Sequence, residues 1–481
     1  MTRFDTSVLT PDPDARRPIL AVLDAALDAV DPFAAVQNVL QRQDEYLTVT
    51  DPAAPDPAHA LTYDLRRYRR VFVVAAGKAA APMSRAVESL LQDRINGGLA
   101  VTKYDHAQPA DAASTAPSSI NIVEAGHPLP DEAGVLAGQE MLALVEQAGP
   151  DDLVIALLSG GGSALLVAPA HEINGNSGQT YPALTLSDMQ AMTDALLACG
   201  ATINEMNCLR KHSSAVKGGQ LARAAAPATL LTLALSDVIG SPFDVIASGP
   251  TVPDVSTWAD AWAIVEKYGL TSALPEVILN RLQAGLAGDI PDTPKPHDPV
   301  FAASKTLVVA DNRTAAGAAL TKATELGYNT ILLSTYVEGE AAEVAKVLVG
   351  LGREVQDSGL PVPAPACLIL GGETTVSLGD NPGKGGRNQE LALAASLPLQ
   401  HLPGITIVSL ATDGTDGPTD SAGGLADNGT VHRGELAGLS AAEHLRRHDA
   451  YPYLRATADL LLTGPTQTNV NDLLFVFVQE M

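Results

Sequence analysis

The segment Leu153-Val154-Ile155-Ala156-Leu157-Leu158-Ser159-Gly160-Gly161-Gly162-Ser163-Ala164-Leu165-Leu166 narrows the possible folds more than any other part of the chain. Its unbroken apolar start reads as a strand buried on both faces, as in a parallel sheet. The strand empties into three glycines bracketed by serines, and an apolar, helix-compatible run follows. Such a strand–glycine turn–helix unit brings bare backbone N–H groups close to whatever lies at the strand's carboxyl end. A helix N-terminus adds partial positive charge, so the place favours phosphate or carboxylate. A tight turn with no ligand would need one glycine; three in a row imply a backbone that something approaches closely.

At 481 residues the chain exceeds one ordinary core and implies two or three domains. Apolar residues make up 46% and aromatics only 4%, so the cores are built largely from Ala, Val and Leu. Lys and Arg total 30 against 55 for Asp and Glu, a net charge of −25, and only ten of the cations are lysines. This composition resembles that of proteins from salt-accumulating, halophilic cells, although an ordinary acidic enzyme from a GC-rich bacterium is the rival reading. Either way it argues against nucleic acid and anionic membranes as partners. Cys199, Cys208 and Cys367 form no CxxC pair, which implies reduced thiols with no disulfide frame and no zinc site. The first residues lack a signal peptide's apolar core. Residues 153–170 reach membrane-spanning length without charge, but their Ser-Gly-Gly-Gly-Ser centre spoils them as a lipid-spanning helix. A soluble, cytoplasmic protein is expected.

Strand and helix signals alternate along the chain. Residues 14–43 read as two amphipathic helices separated by Asp31-Pro32, and residues 51–60 as a Pro/Ala/Asp loop. Residues 71–76 are a strand that turns at Gly77-Lys78 into a helical run to residue 91. Further strands are expected at 120–123, 153–158 and 230–235. Residues 285–304, with four prolines, read as a linker, and a second alternating segment begins with a strand at 306–310. Later strands fall at 329–334, 367–370, 405–410 and 473–478, and helices at 313–326 and 338–350. The expected fold is α/β with two domains, 1–304 and 305–481. Each is a mostly parallel sheet flanked by helices, and the first is Rossmann-like. Ligands in such sheets lie beyond the strand carboxyl ends.

Polar residues gather at those ends. Lys78 sits at a helix start, where a lysine opposes the helix dipole unless an anion is near; a plain surface lysine is the alternative. Beginning at Asn207, a segment packs three cations, Arg210, Lys211 and Lys217, into eight positions of a chain poor in them, unless those three are a solvated helix face. Asp237 follows another strand and serves a turn or the chemistry equally well. His127, before Pro128, reads as a packed or turn-forming histidine more readily than as a base. Gly371-Gly372-Glu373 echoes the first glycine turn. Arg387 and Asn388 open a helix after glycines, a setting poorly explained as mere surface. Asp413, Asp416 and Asp420 crowd one loop as metal ligands or as Asx turns, without the spacing of an EF-hand. Cations and backbone amides that neutralise phosphoryl oxygens, with carboxylates that hold Mg²⁺ or orient a hydroxyl, are what phosphoryl transfer requires.

Absent patterns narrow the chemistry. Gly77-Lys78 and Gly383-Lys384 are followed by Ala79 and Gly385, so there is no P-loop. The candidate Gly-x-Gly-x-x-Gly runs beginning at Gly160, Gly350 and Gly383 end on Leu165, Val355 and Asn388, which removes the main support for a dinucleotide enzyme. The Gly-x-Ser-x-Gly elbow of serine hydrolases is absent too.

Ten motifs occur in an order that resembles the class II glycerate kinases, the glycerate 2-kinase family with its C-terminal MOFRL-type module. They are Ala76-Gly77-Lys78-Ala79-Ala80, Gly126-His127-Pro128-Leu129-Pro130-Asp131, Ser159-Gly160-Gly161-Gly162-Ser163, Arg210-Lys211-His212, Lys217-Gly218-Gly219, Ile246-Ala247-Ser248-Gly249-Pro250-Thr251, Gly371-Gly372-Glu373-Thr374-Thr375, Gly385-Gly386-Arg387-Asn388-Gln389-Glu390, Thr415-Asp416-Gly417 and Thr468-Asn469-Val470-Asn471-Asp472. The resemblance runs from about residue 15 to the C-terminus. It implies ATP-dependent phosphorylation of D-glycerate with Mg²⁺ or another divalent cation, usually at the 2-hydroxyl, giving 2-phosphoglycerate and ADP. Lys78 and Arg387 match the family's catalytic pair, with Asp237 a weaker candidate. Ser159, Gly160, Gly161, Gly162, Ser163, Asn207, Arg210, Lys211, Lys217, Gly371, Gly372 and Asn388 are the expected substrate or phosphate contacts. Glu373, Asp413 and Asp416 are the expected metal or base candidates. An NAD(P)H-dependent hydroxypyruvate reductase and a non-catalytic sugar-acid-binding protein are the alternatives. The sequence is compatible with a homodimer without fixing one. The chain departs from the family pattern at Ser213, Ser241 and Gln467, where a leucine, an acidic residue and a glycine are usual.

Overall fold

A computed structural model of the chain describes residues 2–9, 13–54, 59–107 and 118–480. It divides into two compact units, residues 35–309 and residues 1–34 with 310–481. Of the loop expected at 51–60, residues 55–58 lie outside the described residues.

The first unit is organised by a six-stranded sheet: β1 (Arg70–Ala76), β2 (Ile95–Lys103), β3 (Asn121–Ala125), β4 (Asp152–Leu158), β5 (Thr229–Leu235) and β6 (Ser304–Ala310). Read across the sheet the order is β3-β2-β1-β4-β5-β6, and the pairings from β3 through β5 are parallel. This is the Rossmann strand order. Runs such as Val71-Phe72-Val73-Val74 and Leu153-Val154-Ile155 become strands because both faces are covered, and every residue of β4 is buried. Helices Ala80–Leu91 and Glu132–Val145 lie in the crossovers; the second starts where the Asp131 carboxylate accepts the Gly134 N–H at 3.0 Å. Helices Leu186–Ala198, Ile203–His212 and Trp258–Lys267 help enclose a separate core around Met192, Leu209 and Ile278. Each begins at a reciprocal cap: Thr185 with Asp188, Thr202 with Glu205, Thr257 with Asp260.

The boundary differs from the sequence expectation at both ends. The proline-rich residues 285–304 are packed onto the first unit. Ile290 is buried, and the Thr293 hydroxyl donates to Asp254 at 2.9 Å. β6, expected to open the second domain, is instead an edge strand beside β5. The first 34 residues belong with the C-terminal unit: helix Pro13–Ala29 packs on helix Asn312–Glu325, burying Leu20, Leu23 and Leu27 on one and Ala315, Ala319 and Ala323 on the other. Arg16 ties the same helix to another part of the unit, through Asp427 at 2.9 Å and Asp459 at 2.8 Å. Local periodicity marks the helix but carries no information about which sheet it covers.

The second unit holds β7 (Asn329–Glu340), β8 (Ala366–Thr375), β9 (Ile405–Ala411), β10 (Gly423–Ala426), β11 (Leu460–Leu461) and β12 (Asp472–Val478), in the order β7-β8-β12-β9-β10-β11. The two-domain α/β expectation holds, but this sheet is mixed and not mostly parallel. β7 and β8 run parallel, and every pairing from β8 to β11 is antiparallel. An apolar run shows that a strand is buried without showing its direction, which is why the expectation failed here. No helix among the described residues is long and apolar enough to cross a membrane.

Candidate active site

In the first unit the strand order reverses between β1 and β4, the place where open α/β sheets bind ligands. The turns leaving these strands are tied together. Lys78 N–H donates to the Gly160 carbonyl at 2.8 Å, Ser159 N–H to Ala76 at 3.0 Å, and Ala79 N–H to the Ser159 hydroxyl at 3.0 Å. Gly77, at φ +128°, has no room for a side chain because a Cβ would run into Ser159. A Cβ at Gly160 would collide with the Asp237 carboxylate beyond β5. One at Gly161 (φ +79°) would lie 3.0 Å from the His127 ring and 3.3 Å from Lys78 Cγ. The glycines therefore let Lys78, His127 and Asp237 converge on one turn.

The helix after the glycines is short. It spans only Gly162–Leu165, so the helix-dipole contribution expected from the sequence is small, and side-chain cations must supply the positive charge. They are differently employed. Lys217 is buried and donates to the carbonyls of Ser163 and Leu166, each at 2.9 Å; burial, with Arg210 nearby, lowers it to about 7. Lys211 is buried against Asp254 at 3.2 Å, with Asp244 at 3.5 Å. Asn207 accepts from the Ser248 hydroxyl at 3.0 Å, which meets the Ser163 hydroxyl at 2.6 Å. Lys217, and Asn207 through Ser248, thus hold the loop from behind, while Lys211 is tied to Asp254 and Asp244 instead. Arg210 is half-buried and makes no hydrogen bond or ion pair among the described residues; desolvation lowers its pKa. It lines a cavity of about 450 Å³ together with His127, Gly161, Ser163 and Lys217. Burial, then Lys78 and Lys103, push His127 down to about 4, so it is a neutral ring at pH 7. His127 and Ser248 are members of this site that sequence reasoning left out, though both lie in motifs it had picked out.

In the second unit the sheet sets a clamp on Arg387. Asp472 opens β12 opposite Gly372 of β8 and Ala411 of β9. Arg387, first residue of helix Arg387–Leu399, donates through Nε to Asp472 Oδ2 at 2.5 Å and through Nη2 to Oδ1 at 3.1 Å. Nη1 donates to Glu373 Oε1 at 2.7 Å. Burial pushes Asp472 up to about 7, with Arg387 pulling the other way. Asp472 was missed because it reads as the polar edge of an apolar strand.

The carboxylates expected to bind metal are occupied separately. Asp416 caps the helix of Arg387, accepting Asn388 N–H at 3.1 Å and Gln389 N–H at 2.9 Å, and the Asn388 amide at 3.1 Å. Asp413 accepts Thr415 N–H at 3.0 Å in an Asx turn, and Glu373 holds Arg387. Among the described residues no three His, Cys, Asp or Glu side chains are grouped to hold a metal ion. Glu373, Asp413 and Asp416 therefore do not make the joint site expected of them. The glycines at 371 and 372 also have protein neighbours: Cβ atoms there would meet the Asn312 amide and the Val337 backbone. Asn388 is fully buried, accepting the Ser409 hydroxyl at 2.6 Å.

A family model described as a domain of unknown function, DUF4147, matches residues 19–283, and the MOFRL family model matches residues 366–472. A glycerate 2-kinase of Pyrococcus horikoshii is 36% identical over 97% of this chain and 98% of its own length. The chain belongs to the class II glycerate kinase family. A D-glycerate 2-kinase of Thermotoga maritima is 39% identical over 87% of this chain and 93% of its own. The crystal structure of a glycerate kinase from that organism superposes with a TM-score of 0.81 at 35% identity, covering 97% of this chain and all of that one. An Agrobacterium vitis protein, 41% identical over 97% of this chain and 95% of its own, carries the provisional name of a hydroxypyruvate reductase.

Proposed function

We propose that this chain transfers the γ-phosphoryl group of ATP to D-glycerate, at the 2-hydroxyl, giving 2-phosphoglycerate and ADP. The observation that carries the reading is Arg210. It is a half-buried guanidinium with no carboxylate partner among the described residues, in a cavity shared with His127 and the turn that also seats Lys78. A small hydroxy acid supplies the missing carboxylate, which a planar guanidinium binds through two parallel hydrogen bonds. Neutral His127 lies within that cavity and can hydrogen-bond a hydroxyl without adding charge. Lys78 and Arg387 neutralise charge on the transferring phosphoryl oxygens, and Asp237 beside Gly160 orients the attacking hydroxyl. Mg²⁺ enters with ATP; an ion already carried by phosphates needs only one or two protein carboxylates, of which Asp413 is the proposed one. We assign the activity to the cytoplasm, in keeping with the free thiols of Cys199, Cys208 and Cys367.

The test is a coupled ADP-release assay with ATP, Mg²⁺ and D-glycerate, run beside NADH oxidation with hydroxypyruvate. ADP release without NADH consumption is expected, and the reverse outcome overturns the proposal. Binding of glycerate without turnover in either assay would make the protein a sugar-acid binder. Phosphorus NMR of the product separates the 2- from the 3-phospho isomer.

A further inference from the structure

A second cavity, of about 500 Å³, lies within the first unit and is lined by Arg223, Arg281, His171, His212 and Trp258. Neither arginine has a carboxylate within ion-pair distance among the described residues, in a chain where 55 acidic residues outnumber 30 basic ones. Arg223 donates to the Gln220 side chain at 2.9 Å and to the Asp292 carbonyl at 3.0 Å. Arg281 donates from Nη1 to the His171 carbonyl at 3.2 Å, while its Nε is buried with no hydrogen-bond partner. An arginine offers five N–H donors, and a buried donor left unpaired is costly. Burial alone lowers Arg281 to about 10, so it stays charged at neutral pH. His212 is already matched: against the effect of burial, its hydrogen bond to the Asp292 carboxylate at 3.0 Å raises it to about 9, so the two form an ion pair and the two arginines are left as the cavity's cations. Glu146 and Glu172 also line the cavity, and neither pairs with an arginine there.

We propose that this cavity is a second anion site, separate from the one lined by Arg210, and that it takes a small doubly charged oxyanion. A phosphate group and a dicarboxylate share the required chemistry, paired oxygens facing planar guanidinium donors. The site does not depend on the kinase assignment, because its occupancy is read without turnover.

The reporter is Trp258, which lines the cavity and packs on the His212 ring at 4.6 Å between centroids. Trp262→Phe leaves it as the sole tryptophan, since the chain has two. Inorganic phosphate and malonate are titrated separately at an ionic strength held constant with KCl. A saturable change in Trp258 emission is expected, with its midpoint raised about tenfold or more by Arg281→Gln and by Arg223→Gln. Lys78→Ala should leave the midpoint where it was, which distinguishes this cavity from the substrate site. A response to phosphate alone identifies a phosphate group as the ligand; a response to malonate identifies a dicarboxylate. If Arg281→Gln fails to fold by circular dichroism, Arg281→Lys keeps the charge, loses the paired donors and should still weaken binding. No saturable response to either anion, or a midpoint that neither arginine variant moves, overturns the proposal.

Discussion

Arg210 and Arg387 are both half-buried guanidiniums at helix ends, and their surroundings are opposite. Arg210 lies in the last turn of its helix, where the dipole favours a cation, and burial lowers its pKa with no acid among the described residues paired to it. Arg387 is the first residue of its helix, where the dipole disfavours a cation. Its pKa is raised in spite of burial because Asp472 and Glu373 hold it. One side chain is short of a counter-charge and gains it when an anion arrives. The other has its counter-charges built in and is fixed in orientation before any ligand binds. The difference predicts that Arg210 governs affinity and Arg387 governs turnover.

The largest expected effects test that division. Lys78→Ala and Arg387→Ala should each lower kcat by about a hundredfold or more, the usual cost of removing a group that stabilises transition-state charge. Arg210→Ala should instead raise the KM for glycerate by about tenfold to a hundredfold, the worth of a charged hydrogen bond, with kcat far less affected. Steady-state kinetics over both substrates decide the matter. If Arg210→Ala lowers kcat as much as Arg387→Ala at unchanged KM, the two arginines play the same part and the comparison fails.

Asp472 is the positioning group behind Arg387, and pH reads its role. Its pKa is lifted to about 7, mainly by burial, so above pH 7 it is a carboxylate and grips both Nε and Nη2. Below pH 7 it gains a proton and the grip weakens. The profile of kcat should therefore fall as pH drops through about 7. Asp472→Asn should lower kcat by roughly tenfold, in the range of outer groups that orient a working side chain, and should abolish that acidic limb. A variant with reduced kcat and an unchanged limb would assign the titration to another group.

Much of the first unit was legible because its signals are local. An apolar run followed by glycines specifies a buried strand and a turn that something approaches, and the strand-order reversal falls at Ser159–Ser163 as such a turn requires. The second unit was less legible because its key facts are non-local. Nothing in residues 13–29 says that they cover helix Asn312–Glu325, and nothing in an apolar run says whether β12 runs parallel to its neighbours. The Asp-rich loop is ambiguous for a different reason. An Asx turn at Asp413 and a helix cap at Asp416 use the same side chains as a metal site, and only geometry separates these uses. Lys211 and Lys217 show the same ambiguity among cations, since scarcity alone does not tell a ligand-facing lysine from one held by a buried carboxylate, as Lys211 is, or by backbone carbonyls, as Lys217 is.

Salt should divide the two regions next. At about 0.1 M the Debye length is roughly 10 Å, and near 1 M it is about 3 Å. Raising KCl from about 0.1 M to 2 M should screen the partly exposed Arg210 and raise the KM for glycerate severalfold. The Arg387–Asp472 pair is screened less because Asp472 is buried, so kcat should hold. The melting temperature should rise over the same range, because the net charge of −25 opposes compaction at low ionic strength. A flat or falling melting temperature would remove the halophilic reading of the composition. A kcat that falls in parallel with affinity would place Arg387 in the same exposed class as Arg210.

The smallest effect concerns the loop that delivers Asp472. Gln467 adopts φ +63°, and Asn471, next to Asp472, adopts φ +67°. An L-residue in that region costs about 1–2 kcal/mol, although asparagine visits it more readily than glutamine does. Glycine removes the strain but loses about 0.5–1 kcal/mol more chain entropy on folding. Gln467→Gly should therefore gain somewhat less than about 1 kcal/mol, a rise in melting temperature of about 1–3 °C for units of this size. Because the loop is pinned independently, by Thr466 N–H to the Asp413 carbonyl at 3.3 Å and the Thr466 hydroxyl to Thr412 at 2.5 Å, kcat should not change. If kcat drops while the protein melts higher, the left-handed turn helps to hold Asp472 against Arg387. Pre-orientation of Arg387 would then extend beyond its two carboxylates into the backbone that carries one of them.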